Sequence, residues 1–406
     1  MKNKLLVVFL VISFFFLRLY KIEERVNFST DQGLFLLQSW GIYNNKELTL
    51  IGPAASPTVN GRHFFQGPII YYLIILLMLV SDWNVVTASS LLVFLNFLAL
   101  IFLYLSAKEI FNKKAAIIAS VFFIFSPFLI NFSNFIWNPN LLLILTPLFL
   151  FIGVNSFKYK KWWLFIIWGF LGGICLQYHF QFGLILLLTF LFLIIKKVNF
   201  KKILFFVIGG LIGYSPLLIF DLRNNFYNIR TIFEWLIYGS DGKFVISPFY
   251  FLSFVPFLCL GLGWLITKVK YKFIGYFVLI VYVCFSSLKV IKQKGAFGMP
   301  ENWNYQLQQK TIEKIMGNGC LNNFNVASTV SGDTRGYDLR FLLTKNGCAP
   351  MGVEEYPKAE TLFLVAPIDR PPETEKVWEV SSFGKFEIKR EENLGEKIKF
   401  YELKKN

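Results

Sequence analysis

The chain has 406 residues, of which 55% are hydrophobic and 19% aromatic, and its formal net charge is +16. This composition is too apolar for an ordinary soluble protein and predicts a polytopic membrane protein. A positive chain can attract nucleic acid, but these lysines fall in short clusters between apolar runs, as they do in the inner loops of membrane proteins. We therefore predict a membrane as a partner and no nucleic acid.

Apolar runs of near-spanning length occur nine times, at residues 4–20, 85–106, 115–131, 141–156, 162–178, 183–195, 203–220, 248–266 and 273–290. They predict a mostly α-helical membrane domain of about nine spanning helices. No small-residue cleavage pattern follows the first run, so we predict a retained signal anchor with Arg18 extending to the outer interface. A shorter run at 67–80 begins with Gly67 and Pro68 and suits a juxtamembrane or re-entrant helix.

The lysine clusters between the runs predict the sidedness of the loops. If run 67–80 does not cross, the N-terminus and the clusters at 108–114, 158–161, 196–202 and 268–272 all lie inside, as the positive-inside rule requires. If it crosses, most of these clusters move outside. We therefore predict an inner (plasma) membrane protein with a cytoplasmic N-terminus, and a shared outer face for loops 21–84, 131–140, 177–182 and 221–247 and the tail from 289.

The composition changes near residue 298, where the charges become balanced and the apolar runs short. This change predicts a transmembrane domain at 1–297 and a small extracytoplasmic α/β domain at 298–406. Short strands are expected at 325–330, 340–344, 361–366, 376–380, 385–389 and 397–403, with a helix at 302–316. Cys320 and Cys348 are the two cysteines of this domain, and we predict a disulfide between them because an exported compartment is oxidising.

Acidic residues are scarce in the first 299 positions, and Asp31 comes soon after the first apolar run. Ser29 or Thr30 can cap a helix that begins here, which would place the carboxylate of Asp31 in its first turn. An acid at a helix start stabilises the helix without taking part in chemistry. A structural and a catalytic interpretation of Asp31 are therefore both open.

Both histidines lie in the predicted outer loops, together with arginines that include Arg62 and Arg223. Arg62 and His63 suit an anionic headgroup, because a guanidinium offers a donor fork that matches phosphate; a snorkelling arginine beside a structural histidine is the alternative. His179 occupies a polar turn between two runs and is either a ligand-binding or a turn residue. Asp221 and Arg223 either pair with each other or leave Arg223 for a second phosphate contact.

The segment from Trp137 to Asn140 begins another run with the sequence Trp-Asn-Pro-Asn. The amides of Asn138 and Asn140 can hydrogen-bond sugar hydroxyls at the entrance to a helix. The turn chemistry of an Asn-Pro-Asn segment explains them equally well.

Together these features resemble the membrane-integral GT-C glycosyltransferases, in particular the family 39 group that includes protein O-mannosyltransferases and the lipid A aminoarabinose transferase. The similarity covers about residues 1–290. It rests on Asp31-Gln32, Gly67-Pro-x-x-Tyr-Tyr72, the basic loop 108–114, Trp137-Asn-Pro-Asn140, Gln177-x-His179 and the segment 216–226.

The resemblance implies a sugar donor carried on a polyprenyl phosphate and a reaction outside the cytoplasmic leaflet. Asp31 would deprotonate an acceptor hydroxyl as it attacks the anomeric carbon and inverts it. The leaving phosphate, where negative charge develops, would be held by Arg62, His63 and Arg223. The substrate-binding residues would be Gln32, Tyr71, Asn138, Asn140, His179 and Asp221.

Gln32 stands where many members of the group have a second acid, which weakens any claim of a carboxylate pair or a required metal. We assign no cofactor and no metal ligands, and a divalent metal stays open because relatives differ in metal use. The acceptor is a lipid, a glycan or a protein. A transporter or flippase of lipid-linked sugars is the alternative; it would favour charged or broken helices near mid-membrane and an internal repeat, which the sequence does not display.

Overall fold

The computed structural model describes residues 2–242, 247–317 and 319–406. Residues 243–246, part of the predicted outer loop 221–247, lie outside the described residues. The chain forms two compact units. Unit 1 contains Met1–Tyr20, Leu48–Leu73 and Leu91–Lys292, and unit 2 contains Lys21–Glu47, Ile74–Ser90 and Gln293–Asn406. The domain boundary between residues 297 and 298 stays a prediction.

The helices, in chain order, are α1 (Lys2–Leu19), α2 (Ile22–Arg25), α3 (Thr30–Asn45), α4 (Ile69–Val80), α5 (Val85–Ile110), α6 (Lys113–Phe125), α7 (Pro127–Phe132), α8 (Asn138–Tyr159), α9 (Trp162–Tyr178), α10 (Phe182–Ile195), α11 (Phe200–Gly213), α12 (Ser215–Arg223), α13 (Tyr227–Tyr238), α14 (Val255–Lys268), α15 (Lys272–Ile291), α16 (Tyr305–Met316), α17 (Tyr337–Lys345) and α18 (Trp378–Ser381). The strands are β1 (Ala54–Val59), β2 (Arg62–Phe65), β3 (Phe324–Ser328), β4 (Thr361–Pro367), β5 (Phe386–Asn393) and β6 (Ile398–Lys405). Turns of 3-10 helix cover Pro248–Phe254, Tyr356–Lys358 and Pro372–Thr374.

Every predicted apolar run lies on helix, but about nine spans are not confirmed. Within the described residues, four helices are long and apolar enough to cross a membrane: α5, α8, Pro248–Lys268 and α15. The pair α11 and α12, bent by 68°, makes a fifth if it is one span. Other runs form shorter helices: α10 has 14 residues, about 21 Å. That length is less than the hydrocarbon core of about 30 Å.

The predicted run 115–131 is broken into α6 and α7 at Ser126 and Pro127. Proline has no N–H, so it cannot donate to the carbonyl of Phe123 one helical turn earlier. Arg18 donates instead, to the carbonyls of Phe123 at 3.1 Å and Ile124 at 3.0 Å. The prediction that Arg18 reaches the outer interface is therefore wrong, because the side chain is 1% exposed and serves the broken helix.

Helices α9 and α11 approach each other through glycines. A Cβ atom on Gly169 would lie 1.8 Å from the carbonyl oxygen of Phe206, and one on Gly209 would lie 2.1 Å from that of Ile166. Gly173 and Gly213 continue the contact one turn further along each helix. Each helix thus presents a Gly-x-x-x-Gly face, the pattern that lets membrane helices pack backbone to backbone.

The sheet of unit 2 has the strand order β3-β4-β6-β5. Strands β3 and β4 are parallel and are joined through α17, while β6 is antiparallel to both β4 and β5. The core on this sheet includes Leu362, Leu364, Phe383 and Leu403, all fully buried. A small α/β fold is therefore present, as the balanced composition predicted.

Two of the predicted strands in this region are wrong. Residues 340–344 lie in helix α17, in which every residue from Tyr337 to Leu343 is buried, so the sequence displays no helical periodicity. Residues 376–380 form the end of a loop and the single turn α18, closed by the bond from Ser381 N to Val377 O at 2.9 Å. The predicted disulfide is confirmed, with the Cα atoms of Cys320 and Cys348 5.4 Å apart.

Candidate functional site

Helix α3 begins as its sequence predicted, with Ser29 as N-cap and Asp31 in the first turn. The side chain of Asp31 is exposed, near the helix terminus whose partial positive charge favours an ionised carboxylate. Gln32 is 4% exposed, and its Oε1 accepts from the backbone N–H of Ser29 at 3.2 Å and from its hydroxyl at 2.8 Å. The structure therefore gives Gln32 a capping role.

The segment that carries Asp31 is held tightly within unit 2. A Cβ atom on Gly33 would lie 2.4 Å from the backbone nitrogen of Asp338, so α3 contacts the start of α17 backbone to backbone. The ring of Phe28 meets those of Tyr305 and Phe341, at centroid distances of 5.8 Å and 6.0 Å. These contacts fix the backbone on both sides of Asp31.

A buried polar network supports the same segment. Gln308 Nε2 donates to the carbonyl of Phe28 and to the carboxylate of Asp338, both at 2.7 Å. The indole of Trp303 donates to the same carboxylate at 3.3 Å. Burial raises the pKa of Asp338 to about 6, while these donors oppose that shift. Gln308 thus connects the backbone three residues before Asp31 to the core of unit 2.

In unit 1, three of the motifs that carried the resemblance meet at Gln66 and Gly67. Asn138 Nδ2 donates to Oε1 of Gln66. The backbone N–H of Gly67 donates to the carbonyl of Gln177 at 2.8 Å, and Nε2 of Gln177 donates to the carbonyl of Gly213 at 2.5 Å. A Cβ atom on Gly67 would overlap the side chain of Gln177. The start of α4, the start of α8 and the end of α9 therefore form one polar cluster.

Asp221 connects the same cluster to helix α13. Its Oδ1 accepts from the backbone N–H groups of Asn228 at 2.7 Å and Ile229 at 3.3 Å. Asn228 in turn accepts from the N–H of Phe65 at 2.6 Å and donates to its carbonyl at 3.0 Å. Among the described residues, Asp221 forms no ion pair with Arg223, which is exposed, so the first of the two alternatives for this pair is not realised.

Arg62 and His63 lie on β2, in a hairpin with β1. Arg62 forms an ion pair with Glu234 of α13, and both side chains are partly exposed. Nδ1 of His63 lies 3.1 Å from the carbonyl oxygen of Ala55; because a carbonyl only accepts, this nitrogen carries the proton. Nε2 of the neutral ring is then an acceptor for a further partner.

His179 follows α9, and its ring contacts those of Phe249 and Tyr250. Nδ1 accepts from the backbone N–H of Gln181 at 3.3 Å, so Nε2 carries the proton. Burial lowers the pKa of His179 to about 4. At neutral pH the ring is therefore an uncharged hydrogen-bonding group and not a cation.

Several predicted substrate-binding residues have polar oxygens that the protein does not satisfy. Within the described residues, Oδ1 of Asn138, Oδ1 of Asn140 and Oδ2 of Asp221 are buried without a hydrogen-bond partner. The side-chain amides of the two asparagines already donate, that of Asn138 to Gln66 and that of Asn140 to the carbonyl of Phe135 at 3.0 Å. Tyr71, on α4, is 6% exposed. Buried unsatisfied acceptors are uncommon and are suited to ligand hydroxyls or water.

An apolar cavity of about 660 Å³ also lies within unit 1. Its walls come from α8, α9, α10 and the stretch Pro248–Lys268, and Thr189 is the one hydroxyl-bearing residue among its lining residues. The described residues contain no group of three His, Cys, Asp or Glu side chains able to hold a metal ion. The fold therefore provides an apolar chamber and a separate polar cluster.

Sequence reasoning missed several residues of these networks. Gln66 was detectable only as a neighbour of the Gly-Pro segment, and Gln177 belonged to the Gln177-x-His179 motif but was given no role. Glu234 and Asn228, on α13, carried no local signal, because their partners on β2 are more than 160 residues away. Gln308 was hidden in a helix of ordinary amphipathic pattern.

Residues 65–220 match the family model described as dolichyl-phosphate-mannose-protein mannosyltransferase. One of the solved structures that matches is ArnT from Cupriavidus metallidurans bound to undecaprenyl phosphate, at a TM-score of 0.54 and 10% sequence identity. The match covers 98% of this chain and 97% of the other. No curated protein sequence matches the chain. The family model covers less than half of the chain, and the likeness to ArnT shows a shared fold.

Proposed function

We propose that this protein transfers a sugar from a polyprenyl-phosphate donor to an acceptor hydroxyl on the extracytoplasmic face. The family match over residues 65–220 carries the proposal, because that segment contains the motifs that meet at Gln66 and Gly67. The fold shared with ArnT, whose solved structure holds undecaprenyl phosphate, supports the choice of a polyprenyl-linked donor.

Asp31 is the general base in this proposal. Its carboxylate takes the proton of the acceptor hydroxyl as that oxygen bonds to the anomeric carbon. The bond from that carbon to the phosphate oxygen breaks on the opposite face, which inverts the configuration and leaves a polyprenyl phosphate. The exposed position of Asp31 and its rigid support from Gly33 and Gln308 suit this role.

The leaving phosphate would be held by Arg62, His63 and Arg223. Arg62 would exchange its partner Glu234 for phosphate, with His63 next to it on β2. The sugar hydroxyls would meet the neutral ring of His179 and the unsatisfied oxygens of Asn138, Asn140 and Asp221. Tyr71 and Gln32 complete the proposed substrate set. The apolar cavity of unit 1 suits the polyprenyl tail, because it is lined almost entirely by hydrocarbon.

We also propose nine spans, a cytoplasmic N-terminus, an inner (plasma) membrane location and an extracytoplasmic domain at 298–406. The lysine clusters support this sidedness, and the disulfide between Cys320 and Cys348 fits an oxidising compartment. Cysteine labelling from each side of intact cells tests the arrangement: a label at an introduced cysteine near residue 390 that requires permeabilised cells would contradict it.

The direct test incubates the purified protein with a panel of polyprenyl-phosphate sugars and measures loss of the donor. We expect one donor to be cleaved by the wild type and left intact by Asp31→Asn. Asp369→Asn, an exposed acid in unit 2, is the matched control and should keep full activity. Transfer that survives in Asp31→Asn would remove Asp31 from the mechanism. Movement of an intact donor across the bilayer without cleavage would instead support a flippase.

A further inference from the structure

A cleft of about 320 Å³ within unit 2 has no role in the function proposed above. One wall is formed by Leu34, Leu37 and Gln38 of α3, and the other by Tyr337, Arg340 and Thr344 of α17. The loop segment 350–353, which follows Cys348, closes one side. Its volume is at the lower end of the range for small-molecule sites.

The cleft lies next to the residue proposed as the base. Leu34 and Gln38 follow Asp31 by three and seven residues, spacings that put all three side chains on one face of a helix. Along the axis they are about 4.5 Å and 10.5 Å from Asp31. A molecule whose hydroxyl is at Asp31 would therefore extend directly into the cleft.

The walls offer neutral polar groups and no available charge. Arg340 is the one charged lining residue, and its side chain is 3% exposed. All three of its nitrogens donate within the protein: Nε to the carbonyl of Arg335 at 2.7 Å, one terminal nitrogen to that of Met351 at 2.6 Å, and the other to Asn325 and Tyr356. An anionic headgroup would find no free cation here.

The backbone of the closing loop is also engaged. The N–H of Met351 donates to the carbonyl of Phe324 at 2.9 Å, and that of Gly352 to the carboxylate of Glu355 at 3.0 Å. An extended peptide gains much of its affinity from unpaired backbone groups, which these two do not provide. The amide of Gln38 and the hydroxyl of Thr344, beside the apolar surfaces of Leu34 and Leu37, instead match a sugar ring with its hydroxyls and its apolar face.

We propose that this cleft is the acceptor subsite and that it binds a neutral glycan, with the hydroxyl to be glycosylated at Asp31. This inference rests on the proposed function for the identity of Asp31 as the base. It selects a glycan among the lipid, glycan and protein acceptors that the sequence left open. It also makes Gln38 and Thr344 determinants of acceptor specificity.

The test measures binding of neutral saccharides to the full-length protein in nanodiscs by saturation-transfer NMR. The probes are methyl glucoside, methyl mannoside, lactose and diacetylchitobiose, with a Ser/Thr peptide and an anionic phospholipid headgroup as competitors. We expect one of the saccharides to bind the wild type. Gln38→Ala combined with Thr344→Val should weaken that binding about tenfold or more, because two hydrogen bonds are lost.

Gln38 is exposed, so its replacement should not disturb folding. Gln38→Ala alone therefore replaces the double variant in the binding test if the double variant does not fold. Ser381→Ala, on the surface of α18 in the same unit, should leave binding unchanged. Unaltered saccharide binding in the Gln38 variant, or binding of the peptide or headgroup in place of the saccharides, would overturn the proposal. Asp31→Asn should still bind the saccharide. If the wild type cleaves a donor but binds no saccharide, the cleft assignment fails and the proposed function stands. Saccharide binding without donor cleavage would overturn the proposed function and, with it, the role of the cleft as an acceptor subsite.

Discussion

Two helix contacts, one in each unit, both use glycine to bring backbones together, but they differ in the side-chain hydrogen bonds beside the glycine. In unit 1, α9 and α11 approach through Gly169 and Gly209, and the neighbours of both are backbone carbonyls. In unit 2, Gly33 brings α3 onto the backbone of Asp338, but there a buried carboxylate and the amide of Gln308 bind beside it. The first contact is mainly backbone packing, with one side-chain hydrogen bond at its end from Gln177 to the carbonyl of Gly213, and the second adds a buried carboxylate.

The difference is the one expected if the first contact forms in lipid and the second in water, as proposed above. Lipid tails are as apolar as leucine, so membrane helices gain little from hiding hydrocarbon from one another and rely on close van der Waals contact. A domain in water gains from burial but must satisfy every polar group that it buries. The contact of unit 1 should therefore be sensitive to added volume, and that of unit 2 to lost hydrogen bonds as well.

The largest effect should come from adding a methyl group between α9 and α11. Gly209→Ala would put a Cβ atom 2.1 Å from the carbonyl oxygen of Ile166, and we expect a loss of about 3 kcal/mol or failure to fold. Gly210→Ala is the matched control, because its Cβ would lie 3.7 Å from the nearest atom, an ordinary contact. Thermal unfolding in detergent measures both; equal stability of the two variants would contradict the close contact.

The same change in unit 2 should cost slightly less stability but also abolish activity. Gly33→Ala would overlap the backbone of α17, so we expect a loss of about 2 kcal/mol and displacement of Asp31. Gly41→Ala, on the same helix with open space around it, should be neutral or stabilising by about 0.5–1 kcal/mol. Donor cleavage and unfolding are measured for each; full activity in the Gly33 variant would separate this contact from the position of Asp31.

Removing the amide of Gln308 tests the polar network beside Gly33 in unit 2. Gln308→Ala leaves the carboxylate of Asp338 and the carbonyl of Phe28 without this donor, at a cost of about 1–3 kcal/mol. If the network positions Asp31, kcat should fall more than the affinity for the donor. Gln306→Ala, whose amide binds exposed Glu23, is the control and should change neither. If Gln308→Ala lowered only the amount of folded protein and left kcat per folded molecule unchanged, Gln308 would have a structural role alone.

The pH dependence of stability should have opposite signs in the two units. Burial lowers the pKa of His179 to about 4 from an ordinary value of about 6.5, so the unfolded chain binds more protons and stability falls with acidification. Burial raises the pKa of Asp338 to about 6, so the folded chain binds more protons and stability rises. Between about pH 7 and 5.5 each contributes about 1 kcal/mol.

Single variants separate these two contributions. His179→Gln should remove the acid-induced loss, and Asp338→Asn should remove the opposing gain. Urea unfolding followed at both pH values provides the measurement. If the stability of the two variants changed identically with pH, the shifted pKa values of His179 and Asp338 would both be contradicted.

The helix start at Ser29 and the disulfide were predictable. A capping residue lies next to the helix it caps, and Cys320 and Cys348 are the only two cysteines in residues 298–406 of the sequence, so neither prediction needed distant information. The interior position of Arg18 was not, since its partners Phe123 and Ile124 lie on another helix broken by a proline. The helix at Tyr337–Lys345 was mistaken for a strand because burial on all sides removes the periodicity on which such predictions depend.

The sequence by itself determined the membrane class, the helical runs, the balanced composition of the last hundred or so residues and the motifs that resemble GT-C enzymes. Those properties follow from composition and short-range spacing, which any chain carries without folding. The tertiary structure decided that Gln66 and Gly67 join the motifs of Asn138 and Gln177. It also decided that Asp221 binds the start of α13 and that Gly33 and Gln308 hold the segment of Asp31. Such contacts connect residues far apart in the chain, and their partners are specified only when the helices pack.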